Sequence, residues 1–376
     1  MEIRVERDAL VDAVNWVSRT LPSRATTPVL TGILIDIDRD HNKPLRLSSS
    51  DHESSSQIHI DADINDPAPV VVSGHLFATI ARSLPAAPIV ITTTENSARL
   101  VCGRAVFQLP VMNAADYPML LEMPDRCGTV PGATFATAIS QVVTAAGKSD
   151  NMPMLSGVRM EIAGNILTLA ATDRFRMAMR DMGWSPSTPL DETGFLIPAK
   201  VLSDTARALV GCEAVHLAYA KEAGALLGFE GDDRRTITRL MDGEFPKFRS
   251  ILPASTETNV TVDTAGFLET VKRVALVSDK TKPLRLTFSE DEVTVTAGAD
   301  TDATATDVFE CRTRGEGMTI AFNADYLVDG LNAVNAPVTG FGLNDPTKPA
   351  VLQGLASHDG EPTGEYRYLL MPVRLT

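Results

Sequence analysis

Leu76-Phe77-Ala78-Thr79-Ile80-Ala81-Arg82-Ser83-Leu84 decides the fold, because the chain says nearly the same thing twice more. It returns as Val201-Leu202-Ser203-Asp204-Thr205-Ala206-Arg207-Ala208-Leu209 and again as Tyr326-Leu327-Val328-Asp329-Gly330-Leu331-Asn332-Ala333-Val334. The phrase recurs every 125 residues, at positions 76, 201 and 326. Solenoid repeats run about 20–50 residues. A unit this long closes its own core, so the repeat is a whole domain.

Other phrases recur in the same order. Pro28-Val29-Leu30-Thr31-Gly32 is echoed by Pro153-Met154-Leu155-Ser156-Gly157, and faintly by Pro283-Leu284-Arg285-Leu286. Leu47-Ser48-Ser49-Ser50-Asp51 is echoed by Leu169-Ala170-Ala171-Thr172-Asp173, then by Val295 to Asp300. Asp116-Tyr117-Pro118-Met119-Leu120 matches Glu244-Phe245-Pro246-Lys247-Phe248. Each unit reads as two similar halves. A helix at Asp8–Thr20, with Leu10, Val14 and Val17 on one face, has counterparts at Thr134–Ala146 and Thr264–Val277. Alternating strands follow, and then the quoted phrase as a second helix. The expectation is an α+β chain of three similar domains, 1-123, 124-253 and 254-376, each of two βαβββ-like halves. The linkers fall at Glu122–Val130 and Pro253–Asn259.

Composition narrows the function classes. Of all residues, 44% are hydrophobic and 22% charged, as in ordinary globular proteins. No apolar run reaches the ~18 residues of a membrane span, and the first residues, Met1-Glu2-Ile3-Arg4-Val5-Glu6, have no signal-peptide core. Four scattered cysteines, Cys102, Cys127, Cys212 and Cys311, suit a reducing cytoplasm. The net charge of −14 argues against nucleic acid as a whole-surface partner, yet leaves room for a local basic lining.

No catalytic constellation emerges. The six histidines form no metal spacing. Gly147-Lys148-Ser149 has the end of a phosphate loop, but Val142 stands where the loop's first glycine belongs. Asp36, Asp38 and Asp40 read as a solvated strand face and turn, and Asp300, Asp302 and Asp307 as an exposed hairpin. The expectation is a chain with no catalytic residues, no metal and no cofactor.

With those residues in view, a family likeness appears. Ala171-Thr172-Asp173-Arg174-Phe175-Arg176-Met177-Ala178, Gly243-Glu244-Phe245-Pro246-Lys247-Phe248, Phe322-Asn323-Ala324-Asp325-Tyr326-Leu327 and Tyr368-Leu369-Leu370-Met371-Pro372-Val373-Arg374-Leu375 resemble the signature segments of the bacterial replicative sliding clamp, the beta subunit of DNA polymerase III. The resemblance covers the whole chain. It implies a non-enzymatic, cytoplasmic, head-to-tail homodimeric ring around duplex DNA. Expected partners are the polymerase alpha subunit, the clamp loader and repair polymerases.

The resemblance also implies three sets of residues. A peptide-binding groove would be built by Met152, Met154, Leu155, Thr172, Arg174, Phe175, Arg176, Met177, Pro246, Ile251, Asn323, Tyr326, Pro349, Leu369, Met371, Pro372, Val373, Arg374 and Leu375. Sequence-independent DNA contact would fall to Arg24, Arg82, Lys148, Lys200, Arg207, Lys272 and Arg273. The dimer interface would bring Phe107 and Leu109 against Leu276 and Val277. The groove departs from the family at Met152, Met154 and Met177, and at Ser250 where some members carry Arg. Flexible, polarizable methionines reshape a groove while keeping it apolar, which suggests a specialised copy with altered inhibitor binding. Two alternatives compete: a metal-dependent enzyme of nucleic-acid metabolism, and a scaffold ring that binds peptides without DNA.

Overall fold

The computed structural model describes residues 2–22, 27–148, 152–187, 193–220, 225–278, 283–298 and 303–374. Six α-helices of ten or more residues lie among them: α1 (Arg7–Val17), α2 (Gly74–Ser83), α3 (Gly132–Val143), α4 (Ala199–Ala208), α5 (Thr264–Ala275) and α6 (Ala324–Val334). These are the two helices per repeat that the sequence predicts. The first helix of each repeat is shorter than its apolar spacing suggests. After Val17 the chain tightens into a 3-10 turn at Ser18–Thr20. All pairings among the described strands are antiparallel.

The chain groups into two compact units. The first holds Met1–Phe135, Ser185–Pro189 and Lys200–Leu240, and the second holds Ala136–Trp184, Leu190–Ala199 and Met241–Thr376. Residues of the expected central third are thus shared between them. Sheet continuity is the cause. In the first unit, Arg234–Arg239 pairs with Ser54–Ile60, residues of the expected first and second domains. In the second, Arg176–Gly183 pairs with Tyr366–Leu370, residues of the expected second and third. Backbone hydrogen bonds therefore cross both expected boundaries. The first linker is partly a strand itself, since Arg126–Val130 pairs with Val215–Ala220.

In the first unit, α1 and α2 lie together over a sheet whose alternate residues face them. Leu10, Val14 and Val17 of α1 meet Ile3, Ile33, Leu47 and Ile91 in one continuous core. In the second unit, α5 buries Phe267, whose ring meets Phe341 edge-on at 5.9 Å, and Phe288 lies 5.9 Å beyond. Side-chain caps start two helices of this unit. The Asp263 carboxylate accepts from the Gly266 N–H at 2.8 Å, and the Asn323 side-chain oxygen accepts from the Tyr326 N–H at 3.1 Å.

Among the strands with unpaired stretches, two carry exposed valines. Ala105–Met112 pairs with Ser97–Cys102 on one side, but on the other is joined only at Val111 and Met112. Ala305–Glu310 pairs with Glu292–Ala297 and ends its four-stranded sheet. Val106 and Val308 on these strands are exposed. An open edge is a template for further strand pairing. Leu109, expected at an interface, has 0% exposure and belongs to the core of its own unit. The period of two turns it inward, and Phe107 packs part-buried beside it. Leu276, by contrast, is 83% exposed at the end of α5.

Candidate peptide-binding groove

The second unit holds a cavity of about 660 Å³, lined by Ala146, Gly147, Lys148, Met152, Leu155, Asp173, Arg174, Phe175, Arg176, Asp325, Tyr326 and Asp329. At its centre lies Arg176, a cation only 4% exposed. Its Nε donates to Asp173 Oδ2 at 2.9 Å, and its Nη1 donates to Asp329 Oδ2 at 2.6 Å and to the Tyr368 hydroxyl at 3.4 Å. The guanidinium also sits 4.3 Å from the Tyr326 ring centroid. Burial by itself disfavours the charged form of Arg176. The Tyr368 hydroxyl and the two carboxylates outweigh burial and hold the guanidinium more firmly protonated than usual.

Local sequence builds these contacts. The Asp173 carboxylate accepts from the Phe175 and Arg176 N–H groups, both at 3.0 Å, turning the chain sharply between two strands. Arg174, at φ 78°, occupies the left-handed position of that turn. The turn pushes Phe175 into solvent, its ring 6.4 Å from that of Tyr326. Tyr368 is fully buried beneath, donating its hydroxyl proton to the Tyr326 carbonyl at 2.9 Å. Burial pushes its phenol well above the usual range. Room for that ring comes from Gly330, where an added Cβ would lie 2.5 Å from Tyr368 Cε1. The C-terminal strap is pinned by backbone bonds from Met371 N–H to the Phe175 carbonyl and from Val373 N–H to the Ala321 carbonyl. Its Met371 and Val373 side chains remain exposed.

Of the residues expected in the groove, Met152, Leu155, Arg174, Phe175, Arg176 and Tyr326 line the cavity. Met177 and Leu369 lie beneath it as core, packed with Phe245 and Phe248, and Met154 joins that layer part-buried. Alternation along the strand accounts for Met177, because Arg176 takes the cavity side. Thr172 is buried, with its hydroxyl donating to the Arg176 carbonyl at 2.7 Å. Asn323 spends its side chain on the α6 cap. Pro246 lines a separate cavity of about 690 Å³ with Arg159, Glu161 and Gly243–Ser250. Ile251 is exposed and Pro349 half-buried, both outside the 660 Å³ cavity's lining. Pro372 and Arg374 follow the strap, and Leu375 lies outside the described residues. Asp173, Asp325 and Asp329 line the cavity although sequence reading did not select them as site residues. Asp329 was nonetheless visible as the acid that the repeated phrase keeps at Asp204.

The expected DNA-contacting cations sit on the surface, and most are engaged. Lys200 and Arg207 of α4 both approach Asp204, at 2.9 Å and 3.6 Å. Lys272 meets Glu269 at 2.9 Å, and Arg273 meets Asp307 on the open edge strand at 2.7 Å. Arg82 donates to the Asn15 side chain at 3.2 Å. Lys148 lines the groove cavity instead, and Arg24 lies outside the described residues. Asp36 and Asp38, read as solvated, bind Arg46, and Asp38 also meets His59. Among the described residues, no three His, Cys, Asp or Glu side chains converge as metal ligands, and no helix is long and apolar enough to cross a membrane.

This geometry makes Arg176 the anchor of the groove. Arg176→Met removes the cation and leaves Asp173 and the part-exposed Asp329 facing each other. The expected cost is on the order of 2–4 kcal/mol, read from urea denaturation. Arg176→Lys should recover little, because a point charge cannot bridge both carboxylates and stack on Tyr326. A Lys variant of wild-type stability would refute the anchor role.

Comparison with known proteins agrees along the full length. Residues 1–121, 129–247 and 249–374 match, in order, the N-terminal, central and C-terminal domains of the DNA polymerase III beta subunit. The chain is 43% identical to the beta sliding clamp of Streptomyces coelicolor over 378 residues, covering 100% of both. It is 33% identical to the beta sliding clamp homolog GriR of Streptomyces muensis, over 100% of this chain and 99% of that one. The crystal structure of the Pseudomonas aeruginosa sliding clamp bound to griselimycin superposes with a TM-score of 0.88 at 24% identity, covering 100% of each chain. The chain therefore belongs to the bacterial beta sliding clamp family, the non-catalytic DNA polymerase III subunit built on the three-domain α+β DNA clamp fold.

Proposed function

We propose that two copies of this chain close head-to-tail into a cytoplasmic ring around duplex DNA. The ring tethers the polymerase and docks its alpha subunit, the clamp loader and repair polymerases through the groove of the second unit. The carrying observation is that groove: a buried, ion-paired Arg176 lined by exposed Phe175 and Met152, with the C-terminal strap carrying exposed Met371 tied to the Phe175 carbonyl. Apolar surface around a few fixed polar groups suits short peptides with apolar anchors. The domains proposed for the chain remain 1-123, 124-253 and 254-376, joined by sheets that run across their boundaries.

Ring closure finds support in the unpaired stretches of Ala105–Met112 and Ala305–Glu310 and in Leu276. An exposed edge and a leucine that is 83% exposed are both liabilities that a second chain would cover. DNA contact through the surface cations would be weak and independent of sequence. Each engaged Lys or Arg exchanges a carboxylate for a phosphate, and salt competes with both. The acidic exterior, with a net charge of −14, would keep DNA off the outside.

The methionines support a finer reading, a groove that discriminates differently against rigid apolar inhibitors. The supporting observation is Met152, 39% exposed on the cavity wall, because Met154 and Met177 pack inward. A metal-dependent enzyme finds no support in a chain whose full length matches a non-catalytic subunit.

Three outcomes follow. Loaded onto nicked circular DNA by a clamp loader, the chain should remain bound and fall off when the circle is linearised. Equal retention on linear DNA would fit a scaffold without topological hold. Leu276→Asp with Val277→Asp should sediment as a monomer, and a persisting dimer would refute this interface. Met152→Arg should change inhibitor affinity more than partner-peptide affinity, about tenfold if one charge-assisted contact is gained or lost. Equal shifts in both would leave the methionine without a discriminating role.

A further inference from the structure

The first unit contains a cavity of about 280 Å³ that mirrors the groove through the internal repeat. The repeated phrases set the correspondence: Asp51 stands for Asp173, Val201 for Tyr326, and Asp204 for Asp329. All of these line their respective cavities. The same alignment places Ser54 where the groove has Arg176. Strand register adds one more pair, since Thr236 lies opposite Ser56 as Tyr368 lies opposite Ala178.

The first-unit cavity thus keeps the acidic surroundings of Arg176 but has Ser54 at the position the arginine would occupy. Both carboxylates remain, and a hydroxyl remains on the strand position equivalent to Tyr368, now as Thr236. The long side chain has shrunk to Ser54 and the large ring to Thr236, which opens the space. Thr236 and Thr205 are 2% and 1% exposed. Both line the cavity, and their hydroxyls find no hydrogen-bond partner among the described residues. A buried hydroxyl left unpaired costs free energy that a ligand donor would recover. Trp16 supplies an aromatic wall in place of the Tyr326 ring.

We infer that this cavity is a binding site for a guanidinium group, an arginine side chain presented by a partner chain. The ligand supplies in trans what Arg176 supplies in cis in the groove. A guanidinium carries only donors, in a planar fork. The site offers the matching acceptors: Asp51, Asp204 and the Thr236 hydroxyl. Lys200 Nζ, now 2.9 Å from Asp204 Oδ2, is a mostly exposed side chain whose ion pair a better-placed fork displaces. Arg19 also lines the cavity, with its Nη1 donating to the Asp204 carbonyl at 3.3 Å and its own carbonyl accepting from Lys200 Nζ at 3.0 Å, so an entering guanidinium takes the Asp204 carboxylate by displacing the exposed Lys200.

The chain has two tryptophans, Trp16 and Trp184, so Trp184→Phe leaves Trp16 as a local fluorescence reporter. In that background, titration with N-acetyl-arginine methylamide should change Trp16 emission saturably, and N-acetyl-lysine methylamide should not. Thr236→Val should weaken the response about tenfold through the lost acceptor. Ser54→Arg, which returns the missing side chain, should abolish it and raise the thermal midpoint. If Ser54→Arg fails to fold, Thr236→Val still carries the test. Free arginine serves as a second probe: tighter binding of the blocked analogue supports a peptide-borne arginine, and tighter binding of free arginine supports a guanidinium metabolite at the same site. An equal response to the lysine analogue, no saturable response, or a response lost with Tyr326→Ala and indifferent to Thr236→Val would overturn the assignment.

Discussion

One buried cation organises the cavity of the second unit. Arg176 joins Asp173 on its own turn, Asp329 on α6 and Tyr368 on the last strand, and it stacks on Tyr326. A guanidinium so little exposed persists only because its donors are met by acceptors in fixed directions. Three segments far apart in sequence therefore hold one geometry. Phe175 and the C-terminal strap, both tied to that turn, inherit their positions from it. The cavity therefore has an ion-paired, hydrogen-bonded centre, with exposed Phe175 and Met152 on its wall.

Internal repetition supplies the second constraint. The same backbone plan occurs at both junctions of the triplicated domain, and side-chain volume decides what each junction becomes. Where Arg176 and Tyr368 fill the space, a stable floor forms beneath an open groove. At the equivalent positions Ser54 and Thr236 leave a small polar cavity, with its two carboxylates still in place. Gly330 and Thr205 show the same trade. Glycine admits the Tyr368 ring, and threonine stands where no ring needs room. Duplicated architecture thus yields two chemically different cavities from one arrangement of strands and helices.

Charge is organised at similarly short range. An acidic chain can hold DNA only if its cations are local, and the exposed Lys and Arg of α4 and α5 are local in that sense. Their carboxylate partners at Asp204, Glu269 and Asp307 keep them from acting as a uniform positive surface. Exposed ion pairs of this kind are weak and screened by salt.

Sequence alone determined the triplication, the six helices and the residues that carry the family signature, because each is written in local order and period. It also marked Arg174, Phe175, Arg176 and Tyr326, which fall within contiguous motifs. It did not determine that Met177 and Leu369 would be buried in the core with Phe245 and Phe248. Side-chain direction depends on strand register, and register is set by partners far away in the chain. Nor did it mark Leu109 as core, or show that sheets would run across both domain boundaries. The pairing of Asp329 and Tyr368 with Arg176 was equally hidden. Only the tertiary structure decides such matters, because a buried charge selects its counter-ions by proximity in space, and local sequence encodes no distance between segments 150 or more residues apart.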